Sequence, residues 1–207
     1  MFTGLIEDTA RVVRADRDGG DLVLELAPRT IRCAGVAGLV LGESIAVDGA
    51  CLTVTRTTDE SFFALLGPET LARTTLGAAE PGTVVNLERA LLPTTRMGGH
   101  LVAGHVDAVG TIARLDRHAT GGTVELTFHA PTSVLRYVVE QGSIAVDGVS
   151  LTVTRVDDIS FAVMAIPHTL AHTTLGDKGA GARVNLETDL LAKYVAKLVG
   201  PAWGARP

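Results

Sequence analysis

The stretch SIAVDGACLTVTR, residues 44–56, returns as SIAVDGVSLTVTR at residues 143–155, with two of thirteen places changed, Ala50 to Val149 and Cys51 to Ser150. In each copy an Asp-Gly pair, 48/49 and 147/148, divides two short β-rich runs, the signature of a type I′ hairpin. Past the turn the side chains alternate. Leu52 and Val54 share one face and Cys51, Thr53 and Thr55 the other; in the copy Leu151 and Val153 oppose Ser150, Thr152 and Thr154. The apolar face belongs to a core, so the thiol or hydroxyl row is expected to point outward. A row of Thr is ordinary β surface. A Cys within it is less ordinary, and free Cys is most often a small hydrophobe buried under a loop.

The repetition extends well beyond the hairpin. PETLARTTLG (68–77) matches PHTLAHTTLG (167–176) and VNLE (85–88) matches VNLE (184–187) at an offset of 99, while FTGLIE (2–7) matches VAGHVD (102–107) at an offset of 100, anchored by Gly4 and Gly104. Each half holds about six short strand patterns separated by turn signals, such as TARVVRA, DLVLELA and SFFALL in the first and VGTIARL and TVELTFH in the second. Six strands in under a hundred residues imply a small closed barrel. The expected class is all-β: two tandem six-stranded barrels from an internal duplication, plus a C-terminal α-helix. PTTRMGG, residues 93–99, reads as the connector, placing the halves at 1–97 and 98–187 and a helix and tail at 188–207.

Helical signals are sparse. PETLART and PHTLAHT read as single turns with Pro in first position, and PTSVLRYVVEQG as a longer helix. In TDLLAKYVAKLV, Thr188 or Asp189 is positioned to cap a helix whose Leu191, Tyr194, Val195 and Leu198 form an apolar stripe. So short a helix needs a partner surface, its own barrel or sister helices.

Composition excludes several function classes. Of 207 residues 46% are hydrophobic, enough for buried cores, and the net charge is -5 with Lys and Arg scattered, which argues against nucleic acid. No apolar run approaches ~18 residues and the N-terminus lacks a signal-peptide pattern, so no membrane contact and a cytoplasmic location are expected. Only Cys33 and Cys51 occur, too few for a disulfide framework.

MFTGLIE, DGACLTV, PETLARTTLG, GGHLVAGHVD, DGVSLTV, PHTLAHTTLG and NLETDLLAKYV together resemble riboflavin synthases of the lumazine-binding type, in order and at matching spacing from Met1 to about Val199. The resemblance implies Greek-key barrels that each bind a pteridine, and a homotrimer with active sites between subunits. It also implies a transferase reaction in which two molecules of 6,7-dimethyl-8-ribityllumazine exchange a four-carbon unit, giving riboflavin and 5-amino-6-ribitylamino-2,4-pyrimidinedione, without metal or cofactor. Lumazine synthase is a further implied partner. Holding two copies of one substrate together supplies rate through proximity.

The resemblance implies ligand contacts at Gly4, Leu5 and Ile6, at Cys51, Leu52 and Thr53, and at Leu65, Leu66, Gly67, Pro68, Glu69 and Thr70. The copy supplies Gly104, His105 and Val106, then Ser150, Leu151 and Thr152, then Met164, Ala165, Ile166, Pro167, His168 and Thr169. A thiolate adds to an electron-poor ring carbon more readily than a hydroxyl, so Cys51 is assigned to the acceptor side. Ser150 and Thr152 are assigned to the donor side, where a methyl proton is lost. His105, whose counterpart is Leu5, suits that proton transfer; its bland alternative is a strand histidine held by a carbonyl. Phe2 and Asp189 match catalytic positions of the family, although a core aromatic and a helix N-terminal charge would look the same. Some members carry Lys where Gln141 stands, which leaves hydrogen bonding to the ribityl chain.

His100 and His105 lie five apart on a strand and face opposite ways, and the pair His168 and His172 lacks the glutamate of a zinc helix, so no metal is expected. Two other classes compete: a lumazine or flavin carrier without turnover, and a flavin oxidoreductase. Both pocket motifs are intact, against decay to a carrier, and no G-x-G-x-x-G opens a nucleotide domain.

Overall fold

The computed structural model describes residues 1–35, 38–94, 96–117 and 121–200; the tail expected after the C-terminal helix lies outside them. The first half forms β1 (Asp8–Asp18), β2 (Asp21–Pro28), β3 (Ser44–Val47), β4 (Ala50–Thr57), β5 (Phe62–Leu66) and β6 (Val84–Arg89). The second forms β7 (Ala108–Arg117), β8 (Val124–His129), β9 (Ser143–Val146), β10 (Val149–Val156), β11 (Ser160–Ala165) and β12 (Arg183–Thr188). Each set closes into an antiparallel barrel, in the order β1-β2-β5-β4-β3-β6 and its equivalent in the copy. Strand alternation drives closure: Leu22, Leu24 and Leu26 of β2 and Leu52 and Val54 of β4 are buried in the first core, and Leu126, Phe128 and Val153 in the second. The opposite rows of β4 and β10 face outward, with Cys51 and Ser150 half-buried and Thr53 and Thr152 exposed.

Asp48 and Gly49, and Asp147 and Gly148, all have positive φ (42°, 79°, 46° and 79°), as a type I′ turn requires. The two turns pack back to back. A Cβ on Gly49 would lie 2.7 Å from the Gly148 nitrogen, so glycine is needed there for approach as well as conformation.

Among the described residues there are four short α-helices: α1 (Pro68–Arg73), α2 (Thr132–Leu135), α3 (Pro167–His172) and α4 (Leu190–Val199). The helix expected over PTSVLRYVVEQG stops after one turn. Val134, Leu135 and Val138 turn inward to plug the second barrel. Gln141 takes φ 62° and donates its N–H to the Val153 carbonyl at 2.8 Å, a ladder bond a continuing helix would forfeit. Asp189 is the residue that caps α4, its carboxylate accepting from the Leu191 N–H at 2.9 Å. No helix among the described residues is long and apolar enough to cross a membrane.

The junction of the barrels buries charge. Asp48 and Asp147 are both buried, each accepting a backbone N–H at 2.7 Å from the last strand of its own barrel, Asn86 and Asn185. Lys178 pairs with Asp147, and Ala79 stands at the matching place in the first half. Burial first, and Asp147 second, push Asp48 up to about 8. A folded value above the unfolded 3.8 means that its contribution to stability is full below about pH 3.8, declines as pH rises from there, and is gone once pH passes about 8. Asp48→Asn keeps the acceptor oxygen and removes the titration. The difference in melting temperature between variant and parent should move in the variant's favour by about 3 °C or more from pH 5 to pH 9, an effect of about 1 kcal/mol or more; a constant difference between the two pH values would contradict the assignment.

Candidate active site

Before the first strand of each half runs a lead-in segment, and each lead-in packs on the hairpin of the other half. Phe2 and Val102 form a bridge between the lead-ins, N–H to carbonyl at 2.7 and 3.1 Å, and are buried with Ala46 and Ala145. Cys51 then donates its N–H to the Gly104 carbonyl, and Ser150 donates to the Gly4 carbonyl, both at 2.8 Å. Gly4 (φ 78°) and Gly104 (φ 81°) make these contacts possible, since a Cβ would stand 2.5 Å from the Ser150 Cβ and 2.6 Å from the Cys51 Cβ.

The crossing creates a cleft of about 360 Å³ on the first barrel. Its floor is Cys51, one wall is Glu69, Thr70 and Arg73 of α1, and the other is His105 and Val106 of the second half's lead-in. Two ion pairs edge it: Arg73 with Glu69, and Lys193 of α4 with Asp107 at 2.7 Å. A wider groove of about 820 Å³ on the second barrel carries the corresponding walls, with Ile6 and Glu7 in place of Val106 and Asp107, and His168 and His172 in place of Glu69 and Arg73. The two imidazoles stack with centroids 4.1 Å apart.

The floors differ in access. Ser150 does not line its groove, because the connector crosses above it: His100 Nδ1 lies 2.7 Å from the Ser150 Oγ, and a Cβ on Gly99 would lie 3.0 Å from the Ser150 Cβ. Burial pushes His100 below its usual value, against the pull of Asp189, so the ring is neutral near pH 7 and can take a proton. Its Nε2 is buried without a partner. His105, expected to suit the methyl proton transfer, lines the cleft with Cys51, and Ser150 has a histidine of its own in His100.

The predicted residues separate accordingly. Cys51, Glu69, Thr70, Gly104, His105 and Val106 share the first cleft; Ile6, Pro167 and His168 share the second. Leu52, Leu66, Leu151 and Ala165 are core residues and can offer a ligand only backbone atoms. Phe2 is fully buried beneath Gly104, and the Asp189 carboxylate, which caps α4, pulls the His100 value upward. Gln141, Thr152 and Leu5 are exposed and line neither cleft. Among the described residues no three His, Cys, Asp or Glu side chains gather as a metal-ligating group.

Four residues not singled out by the sequence reading hold these walls. Glu88 accepts from the Thr3 and Gly4 N–H groups at 2.6 and 2.9 Å and from the Thr3 hydroxyl at 2.7 Å. Glu187 accepts from Ala103 and Gly104 at 2.7 and 3.0 Å. Burial pushes both carboxyls up, and the same N–H groups pull them back. Asn86 and Asn185 each reach the other barrel: Asn185 donates to the Asp48 carbonyl and accepts from Thr75 N–H, and Asn86 does the same with Asp147 and Thr174, at 2.7–2.9 Å. The signal was the VNLE run, polar at the same two strand places in both copies.

A family model described as the lumazine binding domain matches residues 3–90 and again 103–189. The chain is 45% identical over 207 residues to the riboflavin synthase of Mycobacterium bovis, covering 98% of this chain and all of that one. It is 41% identical to that of Photobacterium phosphoreum over 96% of this chain and 89% of the relative, and 38% identical to that of Bacillus subtilis over 98% and 91%. In fold it is similar to LumP solved with 6,7-dimethyl-8-(1'-D-ribityl) lumazine, at a TM-score of 0.79 and 20% identity over 91% of this chain and 99% of LumP.

Proposed function

This chain belongs to the lumazine-binding domain family, and from that premise we propose that it is a riboflavin synthase, a transferase that converts two molecules of 6,7-dimethyl-8-ribityllumazine into riboflavin and 5-amino-6-ribitylamino-2,4-pyrimidinedione. The observation that carries the reading is the reciprocal pair of sites in one chain, each hairpin capped by the other half's lead-in. A dismutation needs two seats for one compound, and both halves are intact.

In this reading Cys51 faces the acceptor lumazine, with His105 beside it to move a proton and Thr70 and Arg73 to read the ligand's polar edge. Ser150, paired with neutral His100, and Thr152 serve the donor, whose methyl group must lose a proton. Phe2 acts from beneath Gly104, and Asp189 acts through the field it sets at His100. Gln141 is the candidate for a ribityl contact from a neighbouring subunit. The two products together contain the atoms of the two substrates, so no external oxidant enters.

A homotrimer with active sites between subunits belongs to the same proposal, as do a cytoplasmic setting and lumazine synthase as a further partner. Its support is α4: Leu191, Tyr194 and Leu198 are 64%, 63% and 85% exposed, an apolar stripe in need of a partner surface. Domain limits at 1–97, 98–187 and 188–207 follow from the same division of labour.

The test is direct. Pure protein mixed with 6,7-dimethyl-8-ribityllumazine should accumulate riboflavin; a spectral shift of the lumazine with no riboflavin formed would make the protein a carrier. Cys51→Ser should bind lumazine within about twofold of the parent and turn over about tenfold more slowly, as expected from exchanging a thiolate for a weaker nucleophile. Unchanged turnover removes the nucleophile role from Cys51.

A further inference from the structure

The last strand of each barrel carries the same four residues in the same register, and half of them do no work in their own core. Val184 and Leu186 of β12 enter the second core. Asn185 and Glu187, two residues apart, therefore project together from the other face, and both are buried there. Buried polar side chains that complete their bonds rigidify what they touch, and what these touch is the first barrel's cleft. Asn185 fixes Thr75 N–H just beyond α1, the wall of Glu69, Thr70 and Arg73, and fixes the turn carbonyl at Asp48 just before Cys51. Glu187 fixes the Ala103 and Gly104 N–H groups, so that the Gly104 carbonyl meets Cys51 N–H and His105 follows at the cleft.

In β6 the same construction points the other way. Asn86 holds Thr174 beyond α3 and the carbonyl of Asp147, while Glu88 holds Thr3 and Gly4, whose carbonyl meets Ser150. We infer that the outward face of each last strand is the positioning device of the opposite barrel's site: Asn185 and Glu187 for Cys51 and His105, Asn86 and Glu88 for Ser150. Control is crossed, so a change in the second half should damage the first half's pocket and leave its own less affected. Two N–H groups are read by two carboxylate oxygens, which a glutamine cannot copy, because its amide nitrogen would turn a donor toward a donor.

The inference rests on the ligand-binding reading above, and one experiment separates the two. Riboflavin bound in the first cleft should shield Cys51 from iodoacetamide, followed by mass spectrometry of the peptide that contains it; Cys33 is buried and serves as the internal reference. The unsubstituted protein should show protection, and a protein whose Cys51 reacts equally fast with and without riboflavin overturns the pocket assignment itself. Given protection, the riboflavin concentration for half-protection should rise in Glu187→Gln at least fivefold more than in Glu88→Gln, which removes an equally buried carboxylate. A smaller ratio overturns crossed control, because general loosening would weaken both variants alike. If Glu187→Gln is not recovered folded, Asn185→Ser is compared with Asn86→Ser in the same assay, where a ratio of threefold or more supports the inference and a lower one overturns it.

Discussion

Lys178→Met is expected to destabilise the protein by about 3 kcal/mol at pH 8, a fall of about 6–12 °C in melting temperature, and by much less at pH 5. Lys178 is the ammonium that pairs with the junction carboxylates; it bonds Asp147, and Asp48 raises its affinity for a proton as well. Asp147 is fully buried, and burial already pushes it up against the pull of Lys178. Without that pull, two carboxylates face each other where water cannot reach. At pH 8 both would have to ionise in the folded state or carry protons that the unfolded chain has shed, and either costs stability. Toward acid pH the repulsion is relieved by protonation and the unfolded chain sheds fewer protons, because both folded values are raised above the unfolded ones. The loss should therefore grow as pH rises, and thermal unfolding at the two pH values measures it. An equal loss at both would mean that Lys178 acts through packing of its methylene stem.

Gly104→Ala is the second large effect, expected to lower turnover about a hundredfold and stability by about 2 kcal/mol or more. The residue sits at φ 81°, and an added Cβ would stand 2.6 Å from the Cys51 Cβ, 2.9 Å from the Phe2 ring and 3.0 Å from the Cys51 nitrogen. Two of these three are fixed in the hairpin, so the lead-in must withdraw, and His105 leaves with it. A displacement of that kind separates the proton-transfer group from the thiol. Gly19→Ala is the matched control: its φ is 61° and nothing lies within 4 Å of an added Cβ. It should lose about 1 kcal/mol from backbone strain alone and keep its turnover. Equal turnover in the two variants would show that the approach of Gly104 to Cys51 does not matter for catalysis.

Much of this was legible in the chain. The β4 and β10 patterns give the in and out faces because strand side chains alternate with period two, and Asp-Gly at 48/49 and 147/148 gives the turn because few residues accept positive φ at both places. Cys51 and His105 were named from the resemblance, and one cleft gathers them. One reading went differently. PTSVLRYVVEQG has helical spacing, yet Val134, Leu135 and Val138 fill the barrel mouth and Gln141 joins the ladder, so tertiary contacts outweigh local propensity. His105 was expected to suit the methyl proton transfer; within the chain it lines the cleft with Cys51, and the histidine beside Ser150 is His100.

What the sequence determined by itself is the duplication, the two barrels, the paired hairpins and the single change of Cys51 to Ser150, because each follows from local periodicity or from comparing the chain with itself. What only the tertiary structure decided is who builds which pocket. Alternation says that Asn185 and Glu187 leave their own core but not what they meet, and that depends on how two closed barrels set their turns back to back. The packing of Gly49 against Gly148 and the bridge from Phe2 to Val102 fix that placement. They send each lead-in across to the other half, and so leave Cys51 open in a cleft and Ser150 under a histidine.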